Sequence, residues 1–201
     1  MRLPEVVSRQ LSNPSGIGGR LVRRAMNRGN AGMNGEAIER LGVSPGDRIL
    51  DIGFGGGVTF QLLLERGAVV VGIDRSADAV DAAKSAHPKA IEAGRLEVRR
   101  GEVEGIPFEA GSFDGVLTVN TVYFWPDLEA GLTDILRVLK PGGRIVIAIR
   151  DGSVMRRVSP DIFTLRTPAE VLAAITAAGF VETRSESTSD GARHYLSAGK
   201  R

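Results

Sequence analysis

Residues 49–57 read Ile-Leu-Asp-Ile-Gly-Phe-Gly-Gly-Gly, an apolar strand that runs through Asp51 into a cluster of glycines. A helix-forming run, Val58 to Arg66, follows at once. A strand that ends in glycines and opens a helix sets backbone N–H groups and a helix N-terminus against a ligand, and it belongs to α/β architectures. Side chains in the turn would block close backbone approach or resist its left-handed φ angles. The spacing narrows the choice. A dinucleotide fingerprint wants Gly-x-Gly-x-x-Gly or Ala, and counting from Gly53 puts Val58 in the last place. What stands here is Asp-x-Gly-x-Gly-x-Gly: Asp51, Gly53, Gly55 and Gly57.

The chain around this junction alternates short apolar strands with helices, the mark of a parallel sheet. Strands are expected at 48–52, 68–73, 96–99, 115–119 and 144–149, with helices near 57–65, 76–86 and 127–138. Pro141-Gly142-Gly143 reads as a tight turn into the fifth strand. Thr167-Pro168-Ala169-Glu170 is a helix start, with a Thr cap, Pro in first place and Glu in third. That helix closes at Gly179, and 180–187 and 192–197 read as two strands joined by Ser-Asp-Gly, a hairpin-like connection. Ahead of the sheet, 4–11 and 18–41 have helical character on either side of Asn-Pro-Ser-Gly. Leu21, Ala25, Met26, Ile38 and Leu41 recur there as an apolar face.

The Asp-x-Gly-x-Gly-x-Gly spacing resembles motif I of the class I S-adenosylmethionine-dependent methyltransferases, in particular the broad methyltransferase type 11 group. The resemblance is strong over about residues 45–150 and extends in outline through the terminal hairpin. It implies a Rossmann-like, doubly wound, mostly parallel seven-stranded sheet with a C-terminal antiparallel hairpin. Residues 1–45 are then expected to form an N-terminal helical lid, and 46–201 the S-adenosylmethionine-binding domain, within one compact unit of 201 residues.

The same resemblance implies the cofactor contacts. The glycine turn (Gly53, Phe54, Gly55, Gly57) takes the methionine portion, with Asp51 near its amino group. A carboxylate suits an ammonium, and backbone amides suit a carboxylate. Asp74 ends the strand Val69–Ile73, 17 residues after Gly57, with Arg75 following. An acid about 20 residues past a glycine turn can accept bonds from ribose hydroxyls. Asp74 reads equally as a cap for the helix that Ser76 begins. Arg100-Gly101-Glu102-Val103-Glu104-Gly105-Ile106-Pro107-Phe108, with Ser112-Phe113-Asp114 beyond, resembles the family's Gly-Asp-Ala-Glu-x-Leu-Pro-Phe…Ser-Phe-Asp stretch. There the acid meets the adenine amino group and the next backbone N–H a ring nitrogen. Glu102 stands here for Asp and Val103 for Ala, and Glu102 reads otherwise as an exposed loop acid.

Thr118 to Trp125 closes the fourth strand, where ligands bind in open α/β sheets. Amine-directed DNA methyltransferases carry Asn/Asp-Pro-Pro-Tyr/Phe at that point. Asn120 and Tyr123 match the spacing, but both prolines are missing. Asn120 is expected beside the cofactor. Tyr123, Phe124 and Trp125, three of only ten aromatics, suggest a stacking wall for an organic acceptor, or they simply pack the core. Tyr123 and Trp125 are therefore candidate acceptor contacts, together with Met33; Met33 and Asn34 are placed to reach the pocket mouth. No motif supplies a catalytic base. Tyr123 and His194 are the candidates that remain, and the catalytic residue is left unassigned.

Composition excludes several chemistries. There is no cysteine and only two histidines, His87 and His194, so neither disulfides nor a catalytic zinc site is expected. No apolar run approaches the roughly 20 residues of a spanning helix. A cytoplasmic protein without a transmembrane segment is the expectation. Net charge is +2, yet residues 1–48 hold eight Arg against four acids. That surplus fits a solvated helical face, or a surface meeting an anionic partner. The expected activity is in-line methyl transfer from S-adenosylmethionine to a small organic acceptor, driven mainly by positioning. Alternatives are a lipid headgroup or macromolecular acceptor, a non-catalytic cofactor-binding protein, or an NAD-dependent oxidoreductase. A nucleic-acid acceptor is disfavoured by the missing prolines and the lack of a separate recognition domain.

Overall fold

The computed structural model describes residues 32–151 and 164–201. The helices expected at 4–11 and over 18–31, with Leu21, Ala25 and Met26, lie outside these residues. The described chain enters as helix α1, 32–41. It continues as β1 (Arg48–Ile52), α2 (Val58–Glu65), β2 (Val69–Asp74), α3 (Ala77–Ala86), a short α4 (Pro88–Glu92) and β3 (Leu96–Arg100). Then come β4 (Phe113–Val119), α5 (Leu128–Val138), β5 (Leu139–Arg150), α6 (Pro168–Ala177), β6 (Val181–Ser187) and β7 (Arg193–Gly199).

The seven strands form one sheet in the order β3-β2-β1-β4-β5-β7-β6. All neighbours are parallel except β7, which runs antiparallel to both β5 and β6. This is the doubly wound α/β sheet with a terminal antiparallel hairpin that the sequence implies. The central strands β1, β2 and β4 read as near-continuous apolar runs because both faces are covered, whereas the edge strand β6 is largely exposed. On one face Ile49, Val70, Leu117, Val146 and Tyr195 meet α1, α2 and α3; on the other Leu50, Val71, Val116, Ile147 and Leu196 meet α5 and α6. The strand order reverses between β1 and β4, which opens a crevice at their carboxyl ends.

Three details differ from the expectation. The Pro141–Gly143 turn is absorbed into β5 as an irregularity: pairing with β4 shifts between Phe113 and Gly115, and Gly142 N–H donates to the Lys200 carbonyl at 2.9 Å. Helix α4 carries no buried residue, so no apolar periodicity announces it. The lid expected over residues 1–45 would lay its apolar face on the crevice wall at Tyr123–Trp125, but the apolar face of α1 does not meet that wall. Ala37, Ile38 and Leu41 are buried on the α2/α3 face of the sheet, with Leu41 over Gly115, while Tyr123 and Trp125 belong to the opposite face. The start of α6 matches in detail: Thr167 Oγ1 accepts from Glu170 N–H, and the Glu170 carboxylate accepts from Thr167 N–H at 2.7 Å.

Candidate cofactor and acceptor site

The crevice at the carboxyl ends of β1, β2, β3 and β4 is a cavity of roughly 1220 Å³, counting space open to solvent. Its floor is the glycine turn. Gly53 N–H continues the β1–β2 ladder by donating to the Ile73 carbonyl at 2.8 Å. Gly53 has φ 71°, and a Cβ there would stand 2.5 Å from Thr121 Cγ2, so the turn is pressed against the loop after β4. Gly72 is a glycine whose importance the sequence does not announce. A Cβ on it would strike the rings of Phe60 and Phe54, which pack at 4.8 Å between centroids beneath the turn. Phe54 is held there and lines the cavity as well.

Asp51 ends β1 inside this floor, 2 % exposed. Thr59, from the first turn of α2, donates its hydroxyl to the Asp51 carboxylate. Burial pushes the carboxyl up to about 7, against the lowering effect of the Thr59 bond, and the negative charge of Asp74 adds to the rise. A carboxylate in that state gains from a cation brought to it. Asp74, across the cavity, accepts from Gly55 N–H at 2.8 Å with one oxygen and from Ser76 N–H at 2.9 Å with the other. It thus pins the glycine turn to the end of β2 as well as serving the start of α3, where Ser76 itself is the cap. Gly101 N–H donates to the Asp74 carbonyl, which brings Glu102 and Val103 to the same rim.

The loop after β4 forms the opposite wall. Asn120 has φ 58°, a left-handed conformation uncommon for a non-glycine residue and frequent at functional sites. Its backbone N–H donates to Ala148 O, and its side-chain Nδ2 donates to Met33 Sδ at 3.5 Å. Beyond it Thr121, Phe124, Trp125 and Pro126 line the cavity. Arg166 holds this loop from behind, donating to the carbonyls of Val122 and Trp125. The Arg75 guanidinium lies 5.3 Å from the Phe124 ring centroid, so the β2 and β4 rims face each other across the mouth.

Of the residues singled out in the sequence, Asp51, Gly53, Phe54, Gly55, Asp74, Arg75, Glu102, Val103, Asn120 and Trp125 all line this one cavity. Four do not. Gly57 is the N-cap of α2 and faces Phe60. Met33 is buried under Asn120, and its neighbour Asn34 lines the cavity instead. The short 3₁₀ turn Val122–Phe124 points Tyr123 into the core, where its hydroxyl donates to the Arg150 carbonyl at 2.7 Å and burial pushes the phenol well above its ordinary range. His194 sits in β7, paired with Ile149 and Ser187, with Nε2 buried. Phe124 of the expected aromatic wall also lines the cavity, as do Thr59, Ser76 and Thr121, which the sequence does not mark as contacts. Thr59 had a usable signal: a hydroxyl one turn into the helix after a glycine turn faces back to the strand end.

The arrangement finds its counterpart among known proteins. A methyltransferase domain family, type 11, matches residues 50–147. An uncharacterised methyltransferase, YdaC of Bacillus subtilis, is 36 % identical over 124 residues, covering 60 % of this chain and 66 % of that protein. An O-methyltransferase of Pyrenophora dematioidea is 33 % identical over 114 residues, 56 % of this chain and 43 % of its own. The chain thus spans about two fifths to two thirds of the curated relatives it matches. In fold it is similar to a Haloferax volcanii structure, a complex of the Trm112 methyltransferase activator with a putative methyltransferase. The TM-score is 0.76 with 22 % identity, over 90 % of this chain and 93 % of that one. Among the described residues no helix is long and apolar enough to cross a membrane. With its glycine turn, its two strand-end aspartates and this match, the chain carries a class I, S-adenosylmethionine-dependent methyltransferase domain of the type 11 family.

Proposed function

We propose that the protein methylates a small organic acceptor held between the glycine turn and the Phe124–Trp125 wall, and that it does so mainly by positioning. The observation that carries this reading is one cavity joining Asp51, the glycine turn and Asp74 to an aromatic wall. The donor set fits the cofactor. Asp51 suits the ammonium of the amino-acid end, Asp74 the ribose hydroxyls, and Glu102 with the Val103 backbone the adenine edge. When bound, the cofactor supplies a methyl group activated on a sulfonium.

The chain's own residues then orient and enclose. The glycine turn and the Asn120 loop define where the amino-acid end lies, and Phe124 and Trp125 offer flat apolar surface to an acceptor ring. Holding a nucleophile in line can lower a barrier by about 7–11 kcal/mol, so the chemistry needs no base when the acceptor is already a good nucleophile. Tyr123 is poorly suited to that role, because burial disfavours its phenolate and its hydroxyl is already committed to Arg150. The O-methyltransferase among the relatives makes hydroxylated aromatics the first acceptors to try.

Calorimetry with S-adenosylhomocysteine and with NAD tests the cofactor half, and methyl transfer to a panel of hydroxylated and amino aromatics tests the other. Heat with NAD and none with S-adenosylhomocysteine would sink the reading. Binding without turnover on any acceptor would favour a cofactor-binding protein that has kept the pocket.

A further inference from the structure

Helix α5 carries a row of residues that the reading above does not use. Gly131, Asp134 and Arg137 are spaced three apart along it, which puts them on one face of the helix. That face holds the loop between β3 and β4, the loop that brings Glu102 and Val103 to the cavity.

The contacts run the length of the helix. Just before its first residue, Asp127 N–H donates to the Glu104 carboxylate at 3.2 Å. In the middle Gly131 leaves room for two side chains: a Cβ on it would stand 3.1 Å from Val103 Cγ2 and 3.2 Å from Trp125 Cε3. One turn on, the Asp134 carboxylate accepts from Ile106 N–H at 2.5 Å with one oxygen and from Arg137 Nε at 2.6 Å with the other. The two remaining nitrogens of the Arg137 guanidinium donate to loop carbonyls, Phe108 at 2.6 Å and Ile106 at 2.9 Å. At the helix end Gly111 N–H donates to the Arg137 carbonyl and Ser112 N–H to that of Val138.

An ion pair this exposed adds little to stability by charge alone; Arg137 is 39 % exposed and Asp134 18 %. Its work is on the backbone. Residues 101–112 lie outside the sheet, and their N–H and C=O groups still need partners. A planar guanidinium fork, itself fixed by Asp134, is a stiff donor for two carbonyls at once. Val103 and Ile106, both buried, lock the same stretch from the core side.

Glu102 projects from between two anchors. Before it, Gly101 N–H donates to the Asp74 carbonyl at 3.1 Å; after it, the chain is held to α5. Glu102 is exposed at the rim, so the backbone that those anchors fix decides where its carboxylate and the Val103 N–H stand. A small slide of the loop would move both groups together relative to the glycine turn and leave Asp51 in place.

We propose that Asp134 and Arg137 are positioning residues for the base of the cofactor: by clamping 106–108 they hold Glu102 and the Val103 N–H in register with an adenine edge. This rests on the cofactor reading above. It assigns base selectivity to a helix face whose two charged residues do not line the cavity.

The test uses S-adenosylhomocysteine and S-inosylhomocysteine. The second carries an oxygen in place of the adenine amino group and a protonated ring nitrogen beside it, so its edge has the opposite polarity. Calorimetry on the full chain compares the wild type with Arg137→Met, which keeps the apolar stem, and with Asp134→Asn, which keeps the shape. Thermal melts show which variants are folded, and Asp134→Asn carries the comparison if Arg137→Met does not fold. The wild type should prefer the adenine ligand by about 30-fold or more. Arg137→Met should weaken S-adenosylhomocysteine by roughly 5- to 20-fold and Asp134→Asn by roughly 3- to 5-fold. The inosine ligand should change by no more than about twofold in either, so the preference for adenine shrinks. Unchanged S-adenosylhomocysteine affinity in a folded variant overturns the proposal. An equal loss for the two ligands does so too, since that is what a clamp with a merely structural role gives. A wild type that binds both ligands alike overturns the placing of adenine at Glu102 and Val103, and this proposal with it. A wild type that binds neither overturns the cofactor reading as a whole.

Discussion

Two aspartates at opposite ends of the same sheet behave in opposite ways. Asp114, near the start of β4, accepts both oxygens' worth of Lys140 at 2.8 Å and the Arg48 backbone N–H at 2.8 Å. These partners outweigh its partial burial and hold its carboxyl below the usual range. Asp51, at the end of β1, is buried with one hydroxyl and a second acid for company, and is pushed up to about 7. The same contrast runs through the two ends. At the amino end Lys200 closes the carbonyls of Leu136 and Leu139, and Arg95 those of Leu64 and Ala68. At the carboxyl end stand Asn120 at positive φ and the carboxamide of Asn34. The amino end is cross-tied by the protein itself, with Arg95 Nε the buried donor there that has no partner among the described residues. The other keeps a positive-φ loop and a buried acid with a raised pKa, a pattern expected of functional sites.

The strongest way to break the contrast is Asp51→Asn. Loss of the buried charge should lower S-adenosylhomocysteine affinity by about 100-fold or more. Stability should move the other way. An acid whose folded pKa is raised holds its proton in the folded state up to about pH 7 but releases it near 3.8 when unfolded. Wild-type stability therefore falls across that window as pH rises. The variant lacks that slope, so it should match or trail the wild type near pH 4 and gain on it by about 1–3 kcal/mol by pH 8. Thermal melts at both pH values, beside calorimetry, check both halves. A variant that loses stability at pH 8 relative to pH 4 would show that Asp51 is a structural acid like Asp114.

Asp74→Ala comes next. Removing the acceptor of two backbone N–H groups, which is also the proposed ribose acceptor, should weaken S-adenosylhomocysteine by roughly 1–3 kcal/mol. The Gly55 amide, which loses its partner at 2.8 Å, should exchange faster with solvent. Unchanged affinity with faster exchange would make Asp74 a pin for the turn and nothing more. In the wild type, pH alone should then sharpen the comparison. Only ionised Asp51 can pair with an ammonium, so S-adenosylhomocysteine affinity should fall about tenfold from pH 8 to pH 6, while 5′-methylthioadenosine, which lacks the amino-acid end, stays flat. Equal slopes for the two nucleosides would place the titrating group elsewhere.

The carboxyl end was legible in the sequence wherever its signal is local. Asp51 with the glycine turn, Asp74 at its strand end and the Thr167 capping box are patterns of a few residues whose chemistry is complete within them. What could not be read depends on packing between distant segments. Whether Met33 or Asn34 faces the cavity is a matter of helix phase, and α1 is phased by Glu36 meeting Arg193 and Tyr195. The 3₁₀ turn after Asn120 sends Tyr123 into the core, leaves Phe124 half-buried at the cavity and sets Trp125 in the core with one side on the cavity, a division that three consecutive aromatics do not reveal. Gly72 looks like any strand glycine until Phe54 and Phe60 are seen to occupy the space of its side chain.

The smallest effect on the site, and the sharpest test of the division between the two ends, is expected from Asp114→Asn. The change leaves the shape but removes the charge that faces Lys140 and weakens the bond from Arg48 N–H, so it should destabilise the fold by about 1–2 kcal/mol at pH 7. The pH dependence runs opposite to that of Asp51. A folded pKa held below the unfolded value contributes stability above about pH 4 and loses it as pH falls through the folded value, so wild type and variant should converge on acidification. S-adenosylhomocysteine affinity should stay within about twofold, because Asp114 lies across the length of the strands from the cavity and shares no partner with it. A clear loss of affinity in Asp114→Asn would mean that the packing of β4 transmits strain to the Asn120 loop, and that the two ends are one mechanical unit.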